Sequence, residues 1–357
     1  MKEPTPAHYA APKSDGGEAV HKGNSMTATA SRRAVMAGLS ALAFARPARA
    51  DSGPRQRIIV DNDFSGDPDG LFQLAHHLLS PSVDIRFIIG SHIHERDFLD
   101  GSGTQADNAV ARVKTLMSKM PGVRRPDVVA GRNAIPATDA ATSEAARRIV
   151  LEAMRDDTKL PLFYCAGAGL TDLAEALRLE PKIGAGLTLV WIGGMEYPDL
   201  LPDIPQRHDR EYNLTIDLDA ARTVFNDASV TIWQVPRNVY RQMIVSDAEL
   251  KTRLGAAGEL GPWLIDCIAQ VKNRPGLNLG ETYILGDSPL VTLTALQTGF
   301  EPDSASSAYV VRPTPRLSDK GLYAADPNGR PMRVYTQIDT RLTFEDMFAR
   351  FASLHQG

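Results

Sequence analysis

From about residue 57 onward, compact apolar runs alternate with stretches whose apolar positions recur every three or four residues. The runs at 58–60, 83–89, 127–130, 160–165, 187–192 and 230–235 are rich in β-branched residues with little polar alternation, which predicts strands covered on both faces. Between and after them, the spacing predicts helices over 71–79, 107–117, 143–154, 173–179, 247–254, 263–272, 290–296 and 344–354. Residues 95–103, 197–209 and 273–280 are polar and rich in Gly, Pro, Asp or Asn, and read as loops. Strands alternating with helices predict an α/β fold, a single Rossmann-like domain with a mostly parallel sheet and helices on both faces.

The beginning of the chain follows a different pattern. Residues 1–25 are polar, rich in Gly, Ala and Pro, and without period, which predicts disorder. Met26 offers a later start. Arg32 and Arg33 then precede the apolar run 35–45 and the small-residue site Ala48-Arg49-Ala50, the order of a twin-arginine signal peptide over 26–50. A continuous apolar run of about eleven residues is too short for a bilayer, which takes roughly twenty. The expectation is a mature chain from near Asp51, periplasmic or secreted, with one domain over 55–357.

Composition narrows the partners. The 357 residues are 43% hydrophobic and 23% charged, an ordinary globular balance. A net charge of −4 predicts neither a nucleic-acid partner nor stable membrane association, so a small-molecule substrate is expected and self-association into a homo-oligomer is left open. Cys165 and Cys267 both fall in apolar patterns and read as buried small hydrophobes rather than a disulfide framework or a zinc site.

The chemistry concentrates at the end of the first strand, where Ile58-Ile59-Val60 gives way to Asp61-Asn62-Asp63-Phe64-Ser65-Gly66-Asp67-Pro68-Asp69-Gly70. Four carboxylates within nine positions repel one another, so a positive charge is expected among them. With only oxygen donors on offer, a hard divalent cation is the simplest match, and the carboxyl end of a strand is where open α/β sheets bind ligands. An EF-hand is excluded by the spacing and the missing final Glu.

This stretch resembles the amino-terminal D-x-D-x-x-x-D-D motif of the calcium-dependent nucleoside hydrolases of the inosine/uridine-preferring type, in a variant form carrying G-D-P-D. Weaker pieces follow in family order to about residue 300: Gly169-Leu170-Thr171-Asp172, Gly193-Gly194-Met195, Glu211-Tyr212-Asn213 and Gly286-Asp287-Ser288-Pro289. The resemblance implies Ca2+ held by Asp63, Asp67, Thr171 through its carbonyl, and Asp287, with Asp63 also the base. It implies ribose contacts from Asp69, Glu211 and Asn213, with Asp67 and Asp69 free to exchange roles because the register of the last two acids fits either way. Where the family carries an Asn substrate contact this chain has His92 and His94, of which His94 is taken as the contact. Where the family carries a His beside the leaving base, this chain has Gly286.

The implied activity is hydrolysis of the N-glycosidic bond of ribonucleosides to free base and ribose. A hydrolase of the same fold acting on another N-ribosyl or sugar compound, and a non-catalytic metal- or sugar-binding envelope protein, are the alternatives. Retention of Asp63 with its partners argues against the last, since a binder has no use for a base.

Overall fold

In the computed structural model the described residues are 53–137, 140–201, 209–297 and 307–354. The expected disordered extension and signal peptide over 1–50 lie outside them, as do 202–208 of the loop expected at 197–209.

Buried, β-branched segments form the strands. In chain order the first half comprises Gln56–Asn62 (β1), Asp69–Leu78 (α1), Val83–Gly90 (β2), Gln105–Ser118 (α2), Asp127–Ala130 (β3) and Glu144–Ala153 (α3). Leu162–Ala166 (β4), Thr171–Leu179 (α4), Leu187–Ile192 (β5), Tyr212–Ile216 (α5), Leu218–Arg222 (α6) and Thr231–Val235 (β6) follow. Then come Arg237–Tyr240 (α7), Ile244–Ser246 (β7), Asp247–Leu254 (α8), Leu260–Lys272 (α9), Thr282–Ile284 (β8) and Pro289–Val291 (α10). The chain ends through Tyr309–Pro313 (β9), Arg316–Leu317 (β10), Tyr323–Ala324 (β11), Pro331–Tyr335 (β12) and Thr340–Ser353 (α11).

Eight strands make one sheet in the order β3-β2-β1-β4-β5-β6-β12-β9, parallel throughout except for β9, which runs antiparallel to β12 at the edge. The pattern of alternating strands and helices is therefore a mostly parallel sheet, as expected. Successive side chains of each strand enter opposite layers. Ile58, Val60, Cys165 and Val190 pack under α1, α2, α8, α9 and α11, while Ile59, Tyr164, Leu189 and Trp191 pack under α3, α4 and α6.

The chain leaves β1 outward through β2 to β3, then returns past β1 to β4 and continues outward on the other side. Connections therefore diverge above β1 and β4, opening a crevice at their carboxyl ends. Asp61 and Ala166 face each other across that opening in the pairing of β1 with β4.

Two segments depart from expectation. The helix expected over 290–296 is α only at Pro289–Val291 and continues as a wider π turn over Thr292–Leu296. Its threonines bond back to carbonyls one turn earlier, Thr292 to Ser288 and Thr294 to Leu290, which loosens a helix. The small antiparallel pair of β7 with β8 is too short to show in a hydropathy pattern, yet it carries Ile284 to the crevice and the Tyr283 hydroxyl to Asp67.

Candidate active site

The crevice is a cavity of about 280 Å³ lined by Asp63, Asp67 and Asp69 from the segment after β1, and by Asp287 from the loop after β8. Its far wall holds Glu211, Asn213 and Tyr240, and the loop after β2 adds Asp97, Phe98 and Leu99. Asp61 is not on this wall. It is fully buried beneath, accepting hydrogen bonds from the Ser91 and Tyr164 hydroxyls, and burial still pushes its carboxyl up to about 6.

The carboxylates perturb one another as their density in the sequence demands. Asp63 is held well above the ordinary carboxylate range, first by burial and then by Asp287, Asp67 and Asp61. Asp69 is raised likewise by burial and by Asp287, Asp67 and Asp63. Asp287, buried, is pushed up to about 7 even though Asn62 donates to its Oδ2 at 2.8 Å. Asp67 is exposed at the rim by area, but the walls around it desolvate it enough to raise its pKa against the hydrogen bond from Tyr283, 2.8 Å.

Glu211 sits opposite and is buried to 1% exposure. As the residue preceding α5 it accepts from the free amides of Leu214 at 2.8 Å and Asn213 at 3.2 Å, while Gly194 N–H and the Tyr240 hydroxyl reach it at 2.8 and 2.9 Å. Burial outweighs these bonds and raises its pKa. Asn213 donates to the carbonyls of Gly167 at 3.1 Å and Ile192 at 2.8 Å, stitching the ends of β4 and β5 together.

The structure thus brings together Asp63, Asp67, Asp69, Asp287, Glu211 and Asn213. It does not bring Thr171 or His94 to the cavity wall. Thr171 opens α4 behind it, its hydroxyl donated to Asp217 at 2.9 Å and facing His92 Nε2 at 3.1 Å. His94 stands behind Tyr212, its ring edge-on to the tyrosine at 4.7 Å and Nε2 3.1 Å from the Thr215 hydroxyl. Gly286 does line the cavity, and the space beside it is taken: a Cβ there would lie 3.1 Å from the Tyr240 ring and 3.2 Å from Asp69 Oδ2.

Sequence reasoning missed Asp97, Tyr212, Tyr240 and Asn62. Asp97 lies in the polar loop expected at 95–103, and its carboxylate accepts from the Tyr212 hydroxyl at 2.7 Å across the cavity mouth. Asp97 has no local pattern that marks it, and the motif Glu211-Tyr212-Asn213 assigns Tyr212 no role. Asn62 could have been found, as a polar residue between two strand-end carboxylates.

No protein-family model matches the sequence, and no curated protein matches it either. Solved structures do. A plant nucleoside hydrolase superposes with a TM-score of 0.59 at 16% identity, over 84% of this chain and 100% of that one. The inosine-uridine preferring nucleoside hydrolase of Bacillus anthracis gives 0.58 at 17%, over 84% and 99%. A purine-preferring ribonucleoside hydrolase from Gardnerella vaginalis gives 0.58 at 16%, over 84% and 99%. The chain has the nucleoside hydrolase fold.

Within the nucleoside hydrolase fold of this chain, the donor set suits a hard cation: every acid at the crevice offers oxygen, and Asp63, Asp69 and Asp287 are each destabilised as anions by neighbouring carboxylates. As they stand, no three Asp, Glu, His or Cys side chains among the described residues enclose a metal-sized point. The chemistry of the donors fits a divalent cation.

Proposed function

We propose that the protein is a calcium-dependent nucleoside hydrolase that cleaves the N-glycosidic bond of ribonucleosides to free base and ribose. The observation that carries this reading is the meeting of Asp63, Asp67, Asp69 and Asp287 with Glu211 and Asn213 across one crevice of a nucleoside hydrolase fold. Asp63, Asp287 and one of Asp67 and Asp69 are the oxygen donors for the cation. When bound, a divalent cation supplies acidification and orientation of a water and a grip on ribose hydroxyls.

The chain's own residues supply the rest. Asp63, as the carboxylate, takes a proton from the attacking water. A new bond forms from water oxygen to C1′ as the bond from C1′ to the base nitrogen breaks, its electron pair leaving with the base. Carboxylates facing the sugar favour the positive charge that develops on the ribosyl ring. Asn213 and Glu211 meet ribose hydroxyls from the opposite wall. Tyr212 and Tyr240 are the hydroxyl groups on hand for the departing nitrogen, in a site with Gly286 in place of a histidine.

That glycine supports a second reading, a hydrolase of the same fold acting on another N-ribosyl or sugar compound. Release of base and ribose from a nucleoside panel, with calcium or with chelator, separates the two. Calcium-dependent release that Asp63→Ala reduces by about 10³-fold or more supports the first reading. If calcium raises the melting temperature while no nucleoside is cleaved, the second stands. We place the mature protein outside the cytoplasm on the pattern over 26–50; the pair Arg32→Lys and Arg33→Lys is expected to strand it inside, as cell fractionation would read.

A further inference from the structure

The floor of the crevice is held by a side chain with no part in the steps above. Asn62 ends β1 fully buried, and its polar valences are all spent. Oδ1 accepts the backbone N–H of Asp63 at 2.8 Å, while Nδ2 donates to Asp287 Oδ2 at 2.8 Å and to Gln73 Oε1 at 3.3 Å. It therefore ties the base to Asp287, 225 positions beyond Asn62 in the chain. Its slot is cut by two glycines: a Cβ at Gly70 would lie 2.8 Å from Nδ2, and one at Gly167 2.3 Å.

Only one orientation of this amide works. Turned over, its NH2 would face the N–H of Asp63 and its oxygen the carboxylate of Asp287. The orientation is set from behind, along the buried face of α1. Thr294 spends its proton on the Leu290 carbonyl at 2.6 Å, so its oxygen accepts from His77 Nε2 at 2.9 Å. That places the imidazole proton on Nε2 and leaves Nδ1 bare to accept from Gln73 Nε2. Gln73 is thereby turned with Oε1 toward Asn62. Each of these four side chains is at most 1% exposed, and none of their polar atoms is left without a partner.

A buried polar chain that is fully satisfied can serve rigidity alone. At the crevice this one reaches the carboxylate of Asp287. We propose that Asn62 is a positioning residue for the cation site, and that Gln73, His77 and Thr294 act through it, holding Asp287 by Oδ2 so that Oδ1 is left for the crevice. The proposal rests on the reading that a divalent cation binds there. Partners of this kind typically change metal affinity by about 10–100-fold when removed.

The test is calcium affinity of the full chain by calorimetry, with thermal unfolding alongside. Asn62→Ala is expected to weaken calcium about 10–100-fold, and Gln73→Leu about tenfold although it touches no acid of the crevice. Because both act through one amide, the double variant binds no more weakly than Asn62→Ala alone. Should Gln73→Leu not fold, Thr294→Val is read in its place, with a loss of about threefold. Variants that lower the melting temperature yet leave calcium affinity unchanged would show a packing role only and overturn the proposal, as would a wild-type chain that binds no calcium. Base release run in parallel keeps the readings apart: calcium binding with the expected variant pattern but no nucleoside cleavage supports this proposal while removing the nucleoside hydrolase reading.

Discussion

Glu211 shows how much a single carboxylate can hold. Read in sequence without the family resemblance it is a surface residue before a short helix; in the fold it is the meeting point of three amides and a tyrosine hydroxyl. Truncation leaves those donors facing each other in a buried space, with the cap of α5 lost as well. Glu211→Ala is therefore expected to cost about 3 kcal/mol in urea unfolding, adding a lost cap to unsatisfied buried donors. Glu211→Gln keeps the volume and one acceptor oxygen but turns an NH2 toward an amide, so about half that loss is expected. Equal stability of the two variants with wild type would mean that water replaces the carboxylate and that the bonds seen here carry no net energy.

At the scale of elements, α1 shows what periodicity can and cannot reveal. Its apolar face was legible from Leu71, Leu74 and Ala75, but Gln73, His76 and His77 are also buried on it, and a hydropathy pattern assigns such residues to solvent. The four acids at and just beyond the end of β1 announced a site because like charges that close need a partner, whereas Asp97, Tyr212 and Tyr240 reach it only through the tertiary fold. Thr171 matched a motif by spacing, yet β4 and α4 carry it behind the wall. The buried histidines have a measurable consequence. Burial, and then the neighbouring His76, hold His77 down to about 3, so the folded chain keeps it neutral while the unfolded chain protonates it near its ordinary value. Stability from this group is whole above the unfolded pKa and is lost as pH falls toward the folded one, about 2 kcal/mol by pH 5. Asp287, raised to about 7, acts with the opposite sign across its own window, so the slope must be isolated by difference. His77→Asn is expected to flatten the fall in urea midpoint between pH 7 and pH 5 relative to wild type. An unchanged slope would place the protonation elsewhere, His76 beside Asp346 being the alternative.

For the whole molecule, the sheet order decides where instability is concentrated. Divergence of the chain above β1 and β4 leaves the strand ends uncovered by a crossover, and the segments that close over them bring Asp63, Asp67, Asp69, Asp97, Glu211 and Asp287 to one cavity, with Arg241 the one basic residue lining it among those described. A fold that gathers this much negative charge at its least covered point is stabilised by whatever neutralises it. A ligand that binds only the folded state stabilises by mass action, about 2.7 kcal/mol at a hundred times its dissociation constant. For a domain of about 300 residues that corresponds to a rise in melting temperature of about 4 °C. Calcium added after exhaustive chelation is expected to give such a rise, and magnesium a smaller one, because its shorter bonds and octahedral demand suit a wide set of carboxylates less well. Sodium chloride at matched ionic strength separates a site from general screening, since salt acts mainly on exposed charges and five of these acids are at least partly withdrawn from solvent. A rise with calcium that sodium reproduces would mean diffuse repulsion relieved by counter-ions. A rise specific to calcium, lost in Asp63→Ala and Asp287→Ala alike, would mean that the two ends of the sequence motif close on one ion.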